Sequence, residues 1–388
     1  MMGSFPLLPP TCCHYLSAMP SSMNATLAFD RRQAAPTDDV AAGAPPSRIP
    51  DDKTLLRTAA ELSRDLHAAR PAIYWIDLLA SVTVGYGALA AAILLPFGVP
   101  AALAFAVAVL ALYRAASFIH EVSHMKHAAL PGFRLVWNLL AGIPLMAPSF
   151  MYEGVHNLHH TRTRYGTIED PEYLPLALMK PWSVPAFVLV SALAPIGFLL
   201  RWGVLTPLSL LSPRLRRVVV ARYSALAINP RFQRRAPEGA ARSLWHMLEA
   251  AASLWVIGLV AATVTGVLPL KAFLVYLATI SVVMVINQVR TLVAHLWENE
   301  GEAMTVTAQY LDSVNVPPPG LLPFLWAPVG LRYHALHHLL PGLPYHALGE
   351  AHRRLSAALD VESPYHKANY RGLPGLLDRL VRSTFAAR

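Results

Sequence analysis

The sequence predicts an all-α membrane protein with four transmembrane helices arranged as two hairpins beneath a cytoplasmic helical cap. Three observations carry that prediction. Of the 388 residues, 55% are hydrophobic and 14% charged, with a mean hydropathy of +0.41; soluble domains carry about 25% charged residues. Four apolar runs, 72–95, 99–119, 244–268 and 271–294, are each long enough for a bilayer core, which takes about 20 residues. The runs pair through short turns at Pro96-Phe97-Gly98 and at Pro269, and the histidine clusters fall outside them.

Residues 1–66 are rich in Pro, Ala, Ser and Asp without a sustained period. They predict a disordered tail, with a short helix allowed over Leu55–Ala69, ahead of one membrane domain over 67–388. No basic residue precedes Arg31, which argues against a secretory signal, and Met19 or Met23 is a candidate start. The two cysteines, Cys12 and Cys13, are adjacent, which excludes a disulfide framework and a cysteine-based metal site.

In the first hairpin, Asp77 lies early in one span and Arg114 late in the other, near one membrane face where such side chains snorkel. The segment 130–151 is apolar but interrupted by Pro131, Gly132, Gly142, Pro144 and Pro148, and reads as interfacial or re-entrant. The segment 176–211 is broken by Pro181, Pro185, Pro195, Pro207 and Arg201, and reads as interfacial or as crossing an even number of times. A single crossing there would put the last histidine cluster on the opposite side from the first two. Residues 212–242 hold eight arginines against the single acid Glu238, which suits anionic lipid or a docking surface for an acidic electron carrier such as ferredoxin. The stretch 317–333 is too short and Pro-rich to span. Lys and Arg number fourteen over 120–245 and eight over 296–388, while the two tight turns hold Lys271 alone. By the positive-inside rule the termini and all the clusters are cytoplasmic. Nothing in the chain resembles a nucleic-acid motif, so the net charge of +9 points to lipid headgroups or an acidic protein.

The clusters are His120-Glu-Val-Ser-His124, His156-Asn-Leu-His159-His160 and His334-Ala-Leu-His337-His338. On helices, spacings of three and four bring imidazoles to one face, within reach of a common point. Neutral imidazole is a metal ligand suited to Fe, Zn, Cu or Ni. A catalytic zinc takes about three protein ligands, so eight histidines are too many for one, and two metal ions explain the surplus. His295, just past the fourth span as His120 is past the second, is a ninth candidate; the alternative is a structural histidine at a membrane interface. In Glu169-Asp170-Pro171-Glu172-Tyr173, Asp170 and Glu172 either orient ligating imidazoles through their second ring nitrogen or belong to a solvated acidic turn. His127, His346, His352 and His366 lack ligand spacing and read as structural.

An HxxxH box followed by two HxxHH boxes in this order resembles the membrane fatty acid desaturases and their hydroxylase relatives, over the chain from Pro71 to the C-terminal region. The resemblance implies a non-haem di-iron oxidase with two iron ions and O2 as co-substrate. A lipid or fatty acyl substrate and a separate electron donor of ferredoxin, rubredoxin or cytochrome b5 type are also implied, because the chain has no fused carrier and too few cysteines for an iron–sulfur cluster. Many members have an extra histidine between the second and third boxes, which His295 matches; some place an asparagine one turn earlier, where this chain has Thr291. The boxes, with Leu339-Leu-Pro-Gly-Leu-Pro344, favour fatty acid desaturation. The alternative within the same superfamily is hydroxylation of an alkane, carotenoid or sphingolipid. Two readings lie outside it. His120-Glu121-Val-Ser-His124 fits HExxH, which would make Glu121 the general base of an intramembrane zinc protease, but that leaves six box histidines unexplained. A metal carrier would spread its ligands along a path through the bilayer rather than at one face.

Overall fold

The computed structural model describes residues 49–126 and 128–386, which form helices and isolated bridges without a strand among them. Cys12, Cys13, Met19, Met23 and His127 lie outside the described residues, as does the tail as far as residue 48. The principal helices, in chain order, are α1 (Lys53–Leu62), α2 (Pro71–Leu94), α3 (Val99–His124), α4 (His156–His159), α5 (Ser183–Ala192) and α6 (Ala194–Leu211, with a π turn over Arg201–Leu205). They continue as α7 (Pro213–Tyr223), α8 (Gly239–Val264), α9 (Leu270–Leu292), α10 (Val306–Asp312), α11 (His334–Leu339) and α12 (Tyr345–Ala358).

The stretch 53–62 is helical, overlapping the short helix the sequence allowed over Leu55–Ala69 within an otherwise disordered tail. Asp52 caps it, its carboxylate accepting the Thr54 and Leu55 N–H groups at 3.0 Å. Leu55 and Ala59 are fully buried in a cluster with Leu348, Ala351 and Leu355 of α12. That partner surface lies near the other end of the chain, so local composition does not reveal it.

α2 and α3 form the first hairpin. Gly85 lets them approach: a Cβ there would sit 2.7 Å from the Leu112 Cδ2 atom. Arg114 Nη2 pairs with Asp77 Oδ2 at 2.6 Å between the two helices. α8 and α9 follow one another through the turn at Pro269, and Lys271 Nζ donates to the Leu95 carbonyl at 2.7 Å, linking that turn to the one between α2 and α3.

Between the hairpins the chain dips twice. Residues 133–147 descend beside them: Trp137 Nε1 donates to Ala115 O (2.8 Å), Tyr86 Oη to Leu140 O (2.9 Å), and Tyr276 Oη to Pro144 O. These contacts pack the proline-interrupted stretch against α2, α3 and α9. The second dip is α5–α6. Five helices are long and apolar enough to cross a membrane, α2, α3, α6, α8 and α9, one more than expected, and the extra one, α6, lies in the segment read as interfacial. α5 has ten residues, about 15 Å of helix or half a bilayer core. It runs along α9 to the middle of that helix, where Ser281 Oγ donates to Ala192 O at 2.7 Å. The chain turns at Leu193, and α6 brings Arg201 back to the level of Tyr223 and Ser224. Pro195 falls in the first turn of α6, which tolerates a missing N–H, and Pro207 comes just after its π turn. Arg201 Nη2 and Arg216 Nη2 both bind the buried Glu249 of α8, at 2.7 and 2.6 Å, locking the returning limb.

Candidate metal centre

Each histidine cluster is delivered by an element whose backbone is pinned. α3 continues past the apolar hairpin into His120 and His124, and Arg134 Nη2 caps its end by donating to Val122 O (3.0 Å) and Met125 O (3.3 Å). The single-turn α4 holds the second cluster. α11 carries the third, and the fully buried Asn315 fixes its start, accepting the Leu336 N–H at 3.0 Å.

All nine candidate histidines meet, in two adjoining groups: His120, His124, His156, His160 and His337 in one, His159, His295, His334 and His338 in the other. Within each group the ligand atoms lie within 4.8 Å of one another. The HxxHH clusters do not each serve one point, as helical spacing had suggested. Residues four apart stay together (His156 with His160, His334 with His338), whereas His159 and His337, rotated round their helices, cross to the other group. The two groups touch where His160 stacks on His338 with ring centroids 4.3 Å apart.

The imidazoles present Nε2 to Nε2: His160–His156 and His334–His295 at 3.0 Å, His337–His124 and His337–His160 at 3.1 Å, His338–His334 at 3.2 Å. Two of these rings have their tautomer set from behind. His159 Nδ1 lies 2.9 Å from Asp170, and His156 Nδ1 lies 2.9 Å from Glu172. A carboxylate only accepts, so each Nδ1 carries the proton and each Nε2 is a bare lone pair. His295 Nδ1 lies 2.8 Å from Tyr165 Oη, whose own proton goes to Asp312 Oδ2 at 2.8 Å. His295 therefore donates from Nδ1 and also leaves Nε2 bare. Lone pairs converging in a buried space repel unless a cation lies among them. A metal–nitrogen bond of about 2.1 Å would place ligands at right angles about 3.0 Å apart, which matches the observed spacing. His120 has no hydrogen-bond partner at either nitrogen, as expected of a ligand without its ion. The donor set fits two transition-metal ions and lacks the oxygen-rich shell that Ca or Mg needs.

The surroundings keep most of these rings neutral, His159 being the exception. Burial drives His156, His160, His334, His337 and His338 well below the ordinary histidine pKa. Burial would do the same to His159, but the Asp170 carboxylate outweighs it and the pKa is raised. Burial lifts the carboxyls of Glu172 and Asp312 to about 7.

Asp170 and Glu172 thus stand behind ligand candidates rather than in a solvated turn. Tyr152, Tyr165, Asp312 and Ser313 also support the rings, and sequence reading missed them. The one available signal was the polar run Thr307, Gln309, Asp312, Ser313 and Asn315, all buried, in an otherwise apolar protein. Thr291 turns its hydroxyl to Asn287 O (2.9 Å). His346 and His352 bond elsewhere, to Arg70 N–H (3.1 Å) and Tyr365 Oη (2.8 Å), and His366 joins neither group. The protease reading loses its base, because Glu121 Oε2 accepts Tyr74 Oη and the Tyr345 N–H (3.1 Å).

Comparison with known proteins agrees with this geometry. The family model described as fatty acid desaturase matches residues 94–372, which include every histidine of both groups. A ceramide hydroxylase of Caulobacter vibrioides (strain NA1000 / CB15N) is 48% identical over 339 residues, 87% of this chain and 95% of that protein. This chain is therefore a member of the fatty acid desaturase family, a membrane oxidoreductase of the desaturase and hydroxylase superfamily.

Proposed function

We propose that this protein is an O2-dependent membrane hydroxylase of ceramide-type lipids, holding two iron ions among His120, His124, His156, His160 and His337 on one side and His159, His295, His334 and His338 on the other. The observation that carries the reading is that two convergent imidazole groups occur in a chain nearly half identical, over most of its length, to a ceramide hydroxylase. Desaturation, favoured on motifs alone, becomes the second reading. Both outcomes begin by removing one hydrogen from an unactivated methylene, and the histidine set serves either.

When bound, the irons supply the activation of O2 that such a C–H bond requires. The protein's own residues hold the ligand nitrogens: Asp170 and Glu172 keep protons on Nδ1 of His159 and His156, and the Asp312–Tyr165 pair does so for His295. Hydroxylation balances as R–H + O2 + two electrons + two protons → R–OH + water. With no ligands for a carrier cluster in the chain, the electrons come from a separate donor of ferredoxin, rubredoxin or cytochrome b5 type.

The proposed topology has four crossings, α2, α3, α8 and α9, with the cap and metal centre on the cytoplasmic face. Two features favour it. The lysines and arginines concentrate on the histidine side, and α5–α6 turns back at mid-depth, leaving an even number of crossings between the second and third clusters.

The test is to supply ceramide, O2 and a reduced carrier to the purified protein and analyse the lipid by mass spectrometry. A gain of one oxygen atom, labelled from 18O2, is expected. Loss of two hydrogens without oxygen would establish desaturation instead.

A further inference from the structure

Arg290 is a buried guanidinium, 9% exposed, near the end of α9. No carboxylate lies within ion-pair distance of it among the described residues; its one polar contact is Nη2 to His334 Nδ1 at 3.3 Å. A guanidinium has five N–H donors, and a buried charge without partners is costly enough to be rare. The one contact also weakens once His334 Nε2 is committed to a metal. The neutral ring must then carry its proton on Nδ1, and a donor would face a donor. Asn287, one turn below, has an amide with no hydrogen-bond partner among the described residues, only its backbone carbonyl being used.

These two groups lie on one face of α9. Val283 packs on Val109 and Tyr113 of α3, with Ile286 beside them. Two turns further along each helix come Arg290 on α9 and His120 on α3. The polar pair therefore sits under the metal centre, where an acyl chain alone would call for apolar lining.

Resting on the hydroxylase reading above, we infer that Arg290, with Asn287 beside it, receives the polar head of the lipid substrate through an amide or hydroxyl oxygen. The carbon that is oxidised consequently lies within a few bonds of that oxygen, not in the middle of a chain.

The experiment uses the iron-loaded full chain in lipid nanodiscs and measures binding of a ceramide against an alkane of equal chain length, together with iron content and unfolding temperature. Wild type should prefer the ceramide. Arg290→Met should weaken ceramide binding by about tenfold to a hundredfold, the worth of a charged hydrogen bond, with alkane binding and iron content unchanged. Asn287→Leu should give a smaller loss of the same kind, and it decides the matter if Arg290→Met does not fold. Unchanged ceramide binding in the folded variants would overturn the proposal, and so would a loss of iron in parallel with the loss of binding. Mapping the product separates the two readings. A hydroxyl in mid-chain overturns this inference while leaving the hydroxylase reading intact; a wild type that prefers ceramide yet adds no oxygen leaves the docking role standing and overturns the hydroxylase.

Discussion

Replacing Asp170 by asparagine tests the metal centre without touching a ligand. Asp170 is fully buried, and its two oxygens serve three donors. Oδ1 accepts the Glu172 N–H at 2.8 Å, Oδ2 accepts the Gly166 N–H at 2.8 Å, and both lie within 3.0 Å of His159 Nδ1. An amide nitrogen in either position would face a backbone N–H, so flipping the side chain cannot rescue the variant. Two losses follow. One buried N–H left without an acceptor costs about 1–3 kcal/mol of stability. Losing the carboxylate behind a ligating histidine weakens metal binding about 10- to 100-fold, or about 1.4–2.7 kcal/mol. Anaerobic titration of the metal-free protein with Fe(II) should show one site weakened by that factor, the one containing His159, His295, His334 and His338, and the other nearly unchanged. Two sites of unaltered affinity would refute the reasoning, because the Asp170–His159 contact would then have no bearing on the metal.

Other outcomes follow from the fold. Glu249→Leu strands two arginines, Arg201 being 5% exposed at its side chain, and should destabilise the protein by about 3–5 kcal/mol; a shift under 1 kcal/mol in denaturant unfolding would remove the lock assigned to the returning limb. Gly85→Val drives a side chain into Leu112 and should cost about 1–3 kcal/mol, read as a lowered unfolding temperature, with no change refuting the close approach. With Cys12 and Cys13 replaced, a cysteine at Arg235 should react with an impermeant maleimide from the cytoplasmic side and one at Val267, 80% exposed, from the opposite side. Labelling of both from one side would refute the four-crossing topology.

The histidines were legible because their signal is local: three short runs of a polar, metal-binding residue stand out against an apolar chain, and His295 lies just beyond a span as His120 does. Asp170 and Glu172 were open to the same local reading, lying 11 and 16 residues from the rings they face. What escaped depends on distant contacts. The crossing of His159 and His337 between groups depends on two distant short helices, α4 and α11, meeting side by side, which spacing along either helix does not contain. Asp312 reaches His295 only through Tyr165, each on a different segment. α1 reads in the sequence only as a short helix allowed within the tail, because its apolar stripe of Leu55 and Ala59 finds its partner in α12. For 176–211, hydropathy and prolines pulled in opposite directions, and the segment folds as the short α5 followed by α6, which is itself long and apolar enough to cross a membrane. The motifs favoured desaturation while the relative is a ceramide hydroxylase, which favours the hydroxylase alternative; the ligand motifs carry no information on whether a hydrogen or an oxygen completes the reaction.

Iron content per chain tests the central claim most directly, measured on protein purified in detergent with His124→Ala and His159→Ala alongside. The two-metal account predicts about two irons in the parent protein and a loss confined to one site in each variant, a different site in each. A single metal ion that survives both substitutions would contradict it.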